Sequence, residues 1–177
     1  VPVRLLPACK DYLWGGVRLR ELFGKQSSRE PIAECWELSA HEAGQSRIAA
    51  GPYADMPFGR YLEMLPKTAW GWKCQGYEKF PLLIKFIDAK KNLSIQVHPG
   101  DDYALLNEGE YGKNEMWYVV DCDDGAQLIY GFNQDISQGE FLERINNNNL
   151  SPVCNYVPVK KGDVFFIEAG TMHAIGK

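Results

Sequence analysis

Short apolar segments separated by turns fill the chain beyond residue 114, and this pattern constrains the fold more than any other feature. One helix is predicted among them, over Ser137–Ile145, because Ser137 as N-cap and Glu140 three residues later form a capping-box pattern. Many short strands with few helices are typical of barrels and jelly rolls. We therefore predict an all-β fold, a barrel or a jelly roll with a few short helices. The predicted strands are Glu115–Cys122, Ala126–Phe132, Val153–Val159, Val164–Ile167 and Met172–Ile175.

A further strand is predicted just before this region, over Leu93–Val97. Its residues alternate between apolar and polar, so Ser94, Gln96 and His98 would share one face. A hydroxyl, an amide and an imidazole are unusual together on a solvated face. We expect this face to line a cavity and this strand to organise the functional site.

Two connections predict how the strands pair. Asp123-Asp124-Gly125 is a tight-turn signal, which predicts that the segments on either side of it form an antiparallel hairpin. Residues 100–114 form a polar connection with a possible helical turn. A turn there would let the strand that begins at Glu115 fold back antiparallel to Leu93–Val97.

The first half of the chain carries fewer signals. Ile32–Ser39 alternates like a strand, and Phe80–Asp88 is apolar enough to be a buried strand. Lys85 lies at the centre of that second segment, and a buried lysine needs an acid or an anionic ligand. Residues 51–76 hold prolines, glycines and a helical candidate, Phe58–Leu65, and we predict that they form a small flap or subdomain.

Composition and charge exclude several classes of partner. The 177 residues suit one domain, and 19 basic against 23 acidic residues give a net charge of −4, which argues against nucleic acid. No apolar run approaches the roughly 20 residues that span a bilayer, so no membrane partner is expected. The expected ligand is a small molecule. The 5 cysteines are scattered and lack CxxC spacing, which predicts reduced thiols in a cytoplasmic protein.

Four side chains are candidate metal ligands. Gln96 and His98 are two residues apart, so on a strand they emerge on the same face, close enough to share an ion. Glu115 opens the next predicted strand, with Lys113 pointing the same way, and His173 is the last candidate. Two imidazoles and a carboxylate make a good open zinc site, whereas the amide is a weaker ligand. The same set could hold manganese or iron.

Several longer motifs resemble one known family. Residues 162–173 resemble the second cupin motif, with Glu168 in place of the usual proline. Together with Gln96-Val97-His98-Pro99 and residues 112–118, they make the chain resemble the type I mannose-6-phosphate isomerases, also called phosphomannose isomerases. Further segments fit that family in the same order, and these are Trp14-Gly15-Gly16, Trp36-Glu37-Leu38-Ser39 and residues 80–85.

The resemblance implies a fold and a set of site residues. It implies a cupin-type barrel in which residues 1–177 form the N-terminal and central part of the domain. It implies one zinc ion per chain, held by Gln96, His98, Glu115 and His173. It also implies a sugar-phosphate pocket lined by Trp14, Glu37, Lys85, Ser94 and Lys113. A hydroxyl and an ammonium suit a phosphate dianion, so Ser94 and Lys85 are the expected phosphate contacts.

The implied activity is the interconversion of mannose 6-phosphate and fructose 6-phosphate through an enediol. Such chemistry needs a Lewis acid and a general base, and Lys113 beside the metal is the candidate base. One alternative is a non-catalytic metal-binding cupin that binds a sugar or sugar phosphate as a sensor or regulatory subunit. Another is a cupin oxygenase with iron in the same pocket. Lys85, Ser94 and Lys113 favour a phosphate-bearing ligand over an oxygenase substrate.

The resemblance also bears on how much of the family's fold these residues contain. The family continues into a second β domain that supplies an active-site arginine, and we expect that domain to be absent from residues 1–177. A barrel that ends just beyond His173 would leave an unpaired strand edge, which natural proteins normally cover. We therefore expect either that residues 1–177 are a fragment of a longer chain or that a second chain or a homo-oligomer covers this edge.

Overall fold

The computed structural model describes residues 2–176 and divides them into two compact units. The first unit ends at Lys90 and the second begins at Lys91. Both consist of short strands with a few short helices, which confirms the predicted mainly-β class. Within this part of the chain, none of the helices is both long and apolar enough to cross a membrane.

The first unit contains a three-stranded and a two-stranded antiparallel sheet. Its strands are β1 (Leu5–Leu6), β2 (Ala8–Lys10), β3 (Glu34–Leu38), β4 (Arg47–Ile48) and β5 (Ile84–Ile87). Its helices are α1 (Arg18–Glu21) and α2 (Phe58–Glu63), followed by 3₁₀ turns at Lys67–Trp70 and Trp72–Cys74. β3 lies between β2 and β5, and β1 pairs with β4. The central strand is the most buried of these, as expected for a strand with neighbours on both edges.

Several predicted elements of the first unit are confirmed. Ile32–Ser39 contains β3, and Phe58–Leu65 contains α2. The predicted strand Phe80–Asp88 shortens to β5, because the residues before Ile84 leave the sheet. Phe58, Tyr61 and Leu62 of α2 pack with Ile48 in a buried cluster. That residues 51–76 act as a flap stays a prediction.

The described part of the second unit contains seven helices and strands, besides its loops and a short 3₁₀ turn at Ser151–Val153 that leads into one of the strands. Its helices are α3 (Asp101–Asn107) and α4 (Gln138–Asn146). Its strands are β6 (Glu115–Tyr118), β7 (Gln127–Phe132), β8 (Cys154–Pro158), β9 (Val164–Ile167) and β10 (His173–Ile175). β7 lies between β10 and β8 in one antiparallel sheet, and β6 pairs with β9 in another. Across residues 2–176 each sheet has two or three strands and none closes on itself, so the jelly-roll barrel stays a prediction.

The predicted hairpin around Asp123-Asp124-Gly125 is wrong. The turn itself forms, since the Ala126 amide bonds the Asp123 carbonyl at 3.1 Å and Gly125 has a positive φ of 80°. However, β6 has already ended at Tyr118 and pairs with β9, whereas β7 pairs with β10 and β8. A turn signal is local, and it cannot decide which strand of a sheet becomes the neighbour.

The predicted strand Leu93–Val97 is also wrong as a regular sheet strand, and so is its predicted pairing with β6. The segment is extended but bonds to β10. The Leu93 amide donates to the Ile175 carbonyl, and Gln96 and His173 exchange both backbone hydrogen bonds at 2.9 Å. Val97 is 53% exposed, so the expected continuous apolar face does not form. β10 is thus bonded on both edges, by β7 and by this segment.

The N-cap of α4 is expected to stabilise the second unit measurably. The Ser137 hydroxyl accepts a hydrogen bond from the Glu140 amide at 3.1 Å, which satisfies a backbone donor that has no partner inside the helix. Ser137→Ala should lower the free energy of unfolding by about 1 kcal/mol, whereas Ser137→Asn should preserve it. Urea denaturation of both variants measures this, and equal losses would contradict the capping role.

Candidate metal centre

Two histidines and one glutamate come together in the second unit. Their ligand atoms all lie within 4.8 Å of one another, and the residues are His98, Glu115 and His173. Glu115 begins β6 and His173 begins β10, while His98 follows the segment that pairs with β10. The ends of these three extended segments therefore bring His98, Glu115 and His173 together.

Backbone bonds hold the ends of these segments in place. The Gly170 amide bonds the His98 carbonyl at 2.7 Å, and the Lys113 amide bonds the Pro99 carbonyl at 3.0 Å. The Asn114 side chain accepts a hydrogen bond from the Ala169 amide at 2.8 Å. The loops before β6 and β10 are thus tied to each other and to the segment that carries His98. A site built on such fixed ends keeps its geometry.

The Glu115 carboxylate is the negative centre of the cluster. Its Oε1 lies 3.2 Å from His98 Nε2 and 2.5 Å from Lys113 Nζ. Its Oε2 accepts a hydrogen bond from the Trp117 indole at 2.9 Å. Burial alone would raise the pKa of this carboxyl, but the His98 and Lys113 side chains bonded to it hold the pKa well below its ordinary value. Glu115 is therefore ionised at neutral pH.

The His173 imidazole is in the neutral state that binding to a metal requires. Its side chain is 1% exposed, and burial lowers the pKa of the imidazole. Nδ1 lies 2.8 Å from the Thr171 carbonyl, so Nδ1 carries the proton and Nε2 carries the lone pair. Nε2 is buried and has no hydrogen-bond partner among residues 2–176. A second nitrogen held by a backbone carbonyl in this way is usual for metal-binding histidines.

The residues present fit a divalent metal. Two imidazole nitrogens and one ionised carboxylate, with a buried nitrogen lone pair left over, form the donor set of an open transition-metal site. Gln96 lies directly opposite His173 in the backbone bridge, and residues opposite each other in an antiparallel pair project to the same side. The backbone register therefore places Gln96 on the histidine side of the bridge.

Three of the other four predicted site residues have partners of their own. Lys85 Nζ lies 3.3 Å from Glu34 Oε2 and 4.3 Å from the centre of the Trp36 ring, so Glu34 is the acid that the buried lysine required. Glu37 pairs with Lys25 at 2.6 Å. The remaining two are Trp14, which stacks on Tyr12 with ring centroids 5.5 Å apart, and Ser94, which is exposed.

Sequence reasoning missed Glu34 and Trp117. Glu34 bonds both Lys85 and the Trp36 indole, and Trp117 bonds a residue of the cluster. Both belong to the same pattern, a glutamate followed two residues later by a tryptophan. Such residues project from one side of a strand, so the spacing itself was a usable signal.

Comparisons with known proteins point in one direction. Residues 3–122 match the family model described as "Phosphomannose isomerase type I, catalytic domain". The chain is 40% identical to "Probable mannose-6-phosphate isomerase GmuF" of Bacillus subtilis, over 99% of this chain and 55% of that protein. It is also 40% identical to the mannose-6-phosphate isomerase of Streptococcus mutans, over 99% of this chain and 54% of that protein.

A solved structure agrees with these matches. The crystal structure of the mannose 6-phosphate isomerase from Bacillus subtilis aligns with a TM-score of 0.90 at 38% identity. The alignment covers 99% of this chain and 55% of that one. The chain thus spans about half the length of the relatives it matches.

The amount of metal bound by the protein is expected to depend on His98, Glu115 and His173. Elemental analysis of the complete natural polypeptide should find roughly one divalent transition metal per chain. Glu115→Gln and His173→Asn should each weaken binding more than about tenfold, because removing a ligand costs at least as much as removing an outer-shell partner. His41→Asn is the matched control, since His41 is exposed in the first unit. Equal metal loss in all three variants would contradict the assignment.

Proposed function

The chain belongs to the type I phosphomannose isomerase family, and from that premise we propose that it carries the metal-dependent site that interconverts mannose 6-phosphate and fructose 6-phosphate. The observation that carries the proposal is the His98, Glu115 and His173 cluster with the Lys113 amine directly beside it. The reaction moves a proton between C2 and C1 of the sugar, so it needs an electrophile for the oxygens and a base for the carbons.

The proposed metal is one zinc ion, held by His98, Glu115, His173 and, as the fourth ligand, Gln96. The support is the donor set and the register that puts Gln96 on the histidine side. When bound, the ion supplies Lewis acidity toward the C1 and C2 oxygens of the sugar.

Lys113 is the proposed base. Its Nζ lies 3.1 Å from His98 Nε2 and its side chain is 43% exposed, so it borders the ligand atoms while remaining accessible to a substrate. The amine would take the C2 proton of the aldose while the C1 oxygen gains a proton, which leaves an enediol. Loss of the proton from the C2 hydroxyl and return of a proton to C1 would then give the ketose, with no net change in protons. A base must be neutral to accept that proton.

The proposed substrate-binding residues are Trp14, Glu37, Lys85 and Ser94. Lys85 is half-buried, with an ion pair to Glu34 that leaves its ammonium charged, as a phosphate contact requires. Ser94 is exposed and offers a hydroxyl. Trp14 offers an aromatic face, and Glu37 offers a carboxylate for sugar hydroxyls.

The proposal extends to the fold and location. We infer a cupin-type jelly-roll arrangement, supported by the antiparallel order of the second unit and by the alignment with the Bacillus subtilis enzyme. The cytoplasmic location is part of the same proposal and is supported by the free thiols of the cysteines.

Loss of the base should abolish turnover without loss of metal. In the complete natural polypeptide, Lys113→Met should lower kcat by about 10²–10⁴-fold in a coupled assay of fructose 6-phosphate formation. Lys161→Met is the control, because Lys161 is an exposed turn residue of the same unit. An unchanged kcat would contradict the role of Lys113. Stoichiometric metal and sugar-phosphate binding without turnover in the unsubstituted protein would instead support the non-catalytic sensor.

A proton that is carried by an accessible amine should exchange with solvent before it reaches the product. In heavy water the product fructose 6-phosphate should carry deuterium at C1. The Lys113 side chain is 43% exposed, so its amine can exchange protons with solvent before it returns one to the sugar. Proton NMR of the product measures this. Complete retention of the original hydrogen would contradict a base that exchanges with solvent.

A further inference from the structure

We propose that Trp117 is a positioning residue of the metal centre, which fixes the Glu115 carboxylate so that Oε1 is the oxygen offered to the metal. This inference rests on the proposed function, because it assigns Trp117 a task in holding the same ion. Trp117 contacts the ligands and is not itself a ligand, since an indole N–H is a donor only.

The two oxygens of Glu115 have different partners. Oε2 accepts the Trp117 indole N–H at 2.9 Å. Oε1 lies 3.2 Å from His98 Nε2 and 2.5 Å from Lys113 Nζ, and Oε2 lies 3.8 Å from His173 Nε2. A hydrogen bond to one oxygen fixes the rotation of the carboxylate plane and occupies a lone pair of that oxygen. The indole thereby restrains Oε2 and favours binding of the ion through Oε1.

The same indole also contacts a second ligand. The Trp117 ring packs edge-on against the His173 ring, with centroids 5.4 Å apart and an interplanar angle of 79°. The Thr171 carbonyl holds the far nitrogen of that imidazole. One side chain therefore restrains both a carboxylate ligand and an imidazole ligand. Fixed neighbours of this kind orient ligands and raise metal affinity.

Trp117 is itself held by the sheet. It lies opposite Phe165 in the β6–β9 pair, and Glu115 lies opposite Ile167, which is 1% exposed. Strand alternation puts Glu115 and Trp117 on one side of β6 and the exposed Met116 on the other. The indole donor is therefore set by packing rather than by a mobile loop.

The first unit contains the same glutamate, tryptophan and lysine arrangement, in which the histidine that packs against the tryptophan, His41, is not grouped with the carboxylate as a candidate ligand. Trp36 Nε1 donates to Glu34 Oε2 at 2.6 Å, and Lys85 pairs with that carboxylate. The glutamate and tryptophan are again two residues apart on one strand. This second pair shows that strand geometry alone can form the bond, and it supplies a control in which the same chemical change is made away from the candidate metal ligands.

The experiment measures metal affinity in the complete natural polypeptide. Trp117→Phe keeps an aromatic ring and removes the N–H, and Trp36→Phe makes the identical change in the first unit. Zinc affinity is measured by competition with a chromophoric chelator, and cobalt is bound in parallel for its visible absorption spectrum. Trp117→Phe should weaken zinc binding by about 10–100-fold and change the cobalt spectrum. Trp36→Phe should change neither.

A second replacement covers the case in which the phenylalanine variant does not fold. 3-Benzothienylalanine at position 117 has the shape of tryptophan with sulfur in place of the N–H, so packing is retained and only the donor is lost. The same fall in zinc affinity is expected from it. An unchanged affinity and cobalt spectrum in this protein would overturn the role of Trp117.

The outcomes separate this inference from the proposed function. If the unsubstituted protein binds no stoichiometric zinc or cobalt, the proposed metal site fails and the inference fails with it. If the unsubstituted protein binds tightly and the position 117 replacements bind equally well, only the inference is overturned. Equal weakening by Trp36→Phe and Trp117→Phe would also overturn it, because the effect would then be general.

Discussion

The second unit depends on one constraint, which is that β10 is hydrogen-bonded along both of its edges. On one edge β10 pairs with β7, with His173 opposite Tyr130, and on the other edge it bonds the extended segment that contains Gln96. The first of these pairings requires Gly176, because a Cβ there would lie 2.2 Å from the Gln127 carbonyl oxygen. Since His173 begins β10, any slip of register would move its buried imidazole away from His98 and Glu115.

Local sequence patterns predicted elements better than pairings. The strand Val164–Ile167 and the helix capped by Ser137 follow from a short apolar run and from capping, which are properties of neighbouring residues. The partner of β6 depends on contacts across 50 residues or so of chain, and the turn at Gly125 carries no information about them. The family resemblance of their motifs predicted that His98, Glu115 and His173 share one site, and the structure brings their ligand atoms within 4.8 Å of one another. That they hold a metal stays a prediction. The partner of Lys85 could not, since Glu34 is set by the register of β3 against β5.

The two glutamate–tryptophan pairs show how the chain provides partners for carboxylates where water is scarce. An unpartnered buried carboxylate is costly, so Glu34 and Glu115 each receive an indole hydrogen bond and a lysine. Such charge-assisted bonds are stronger than neutral ones. The pairs differ in their other neighbours, because only Glu115 also meets two imidazoles. The histidines therefore convert a structural arrangement into a candidate metal centre.

Lys113 connects the stability of the cluster to its proposed chemistry. Its ammonium lies against Glu115 Oε1 and His98 Nε2, which are two of the atoms that a metal would need. In these contacts the ammonium supplies the positive charge that the carboxylate requires. A divalent ion on the same two atoms would repel it at such distances. On the proposed function, the ion would therefore take these two atoms from Lys113, whose accessible side chain would still border the ligands on the side open to the substrate.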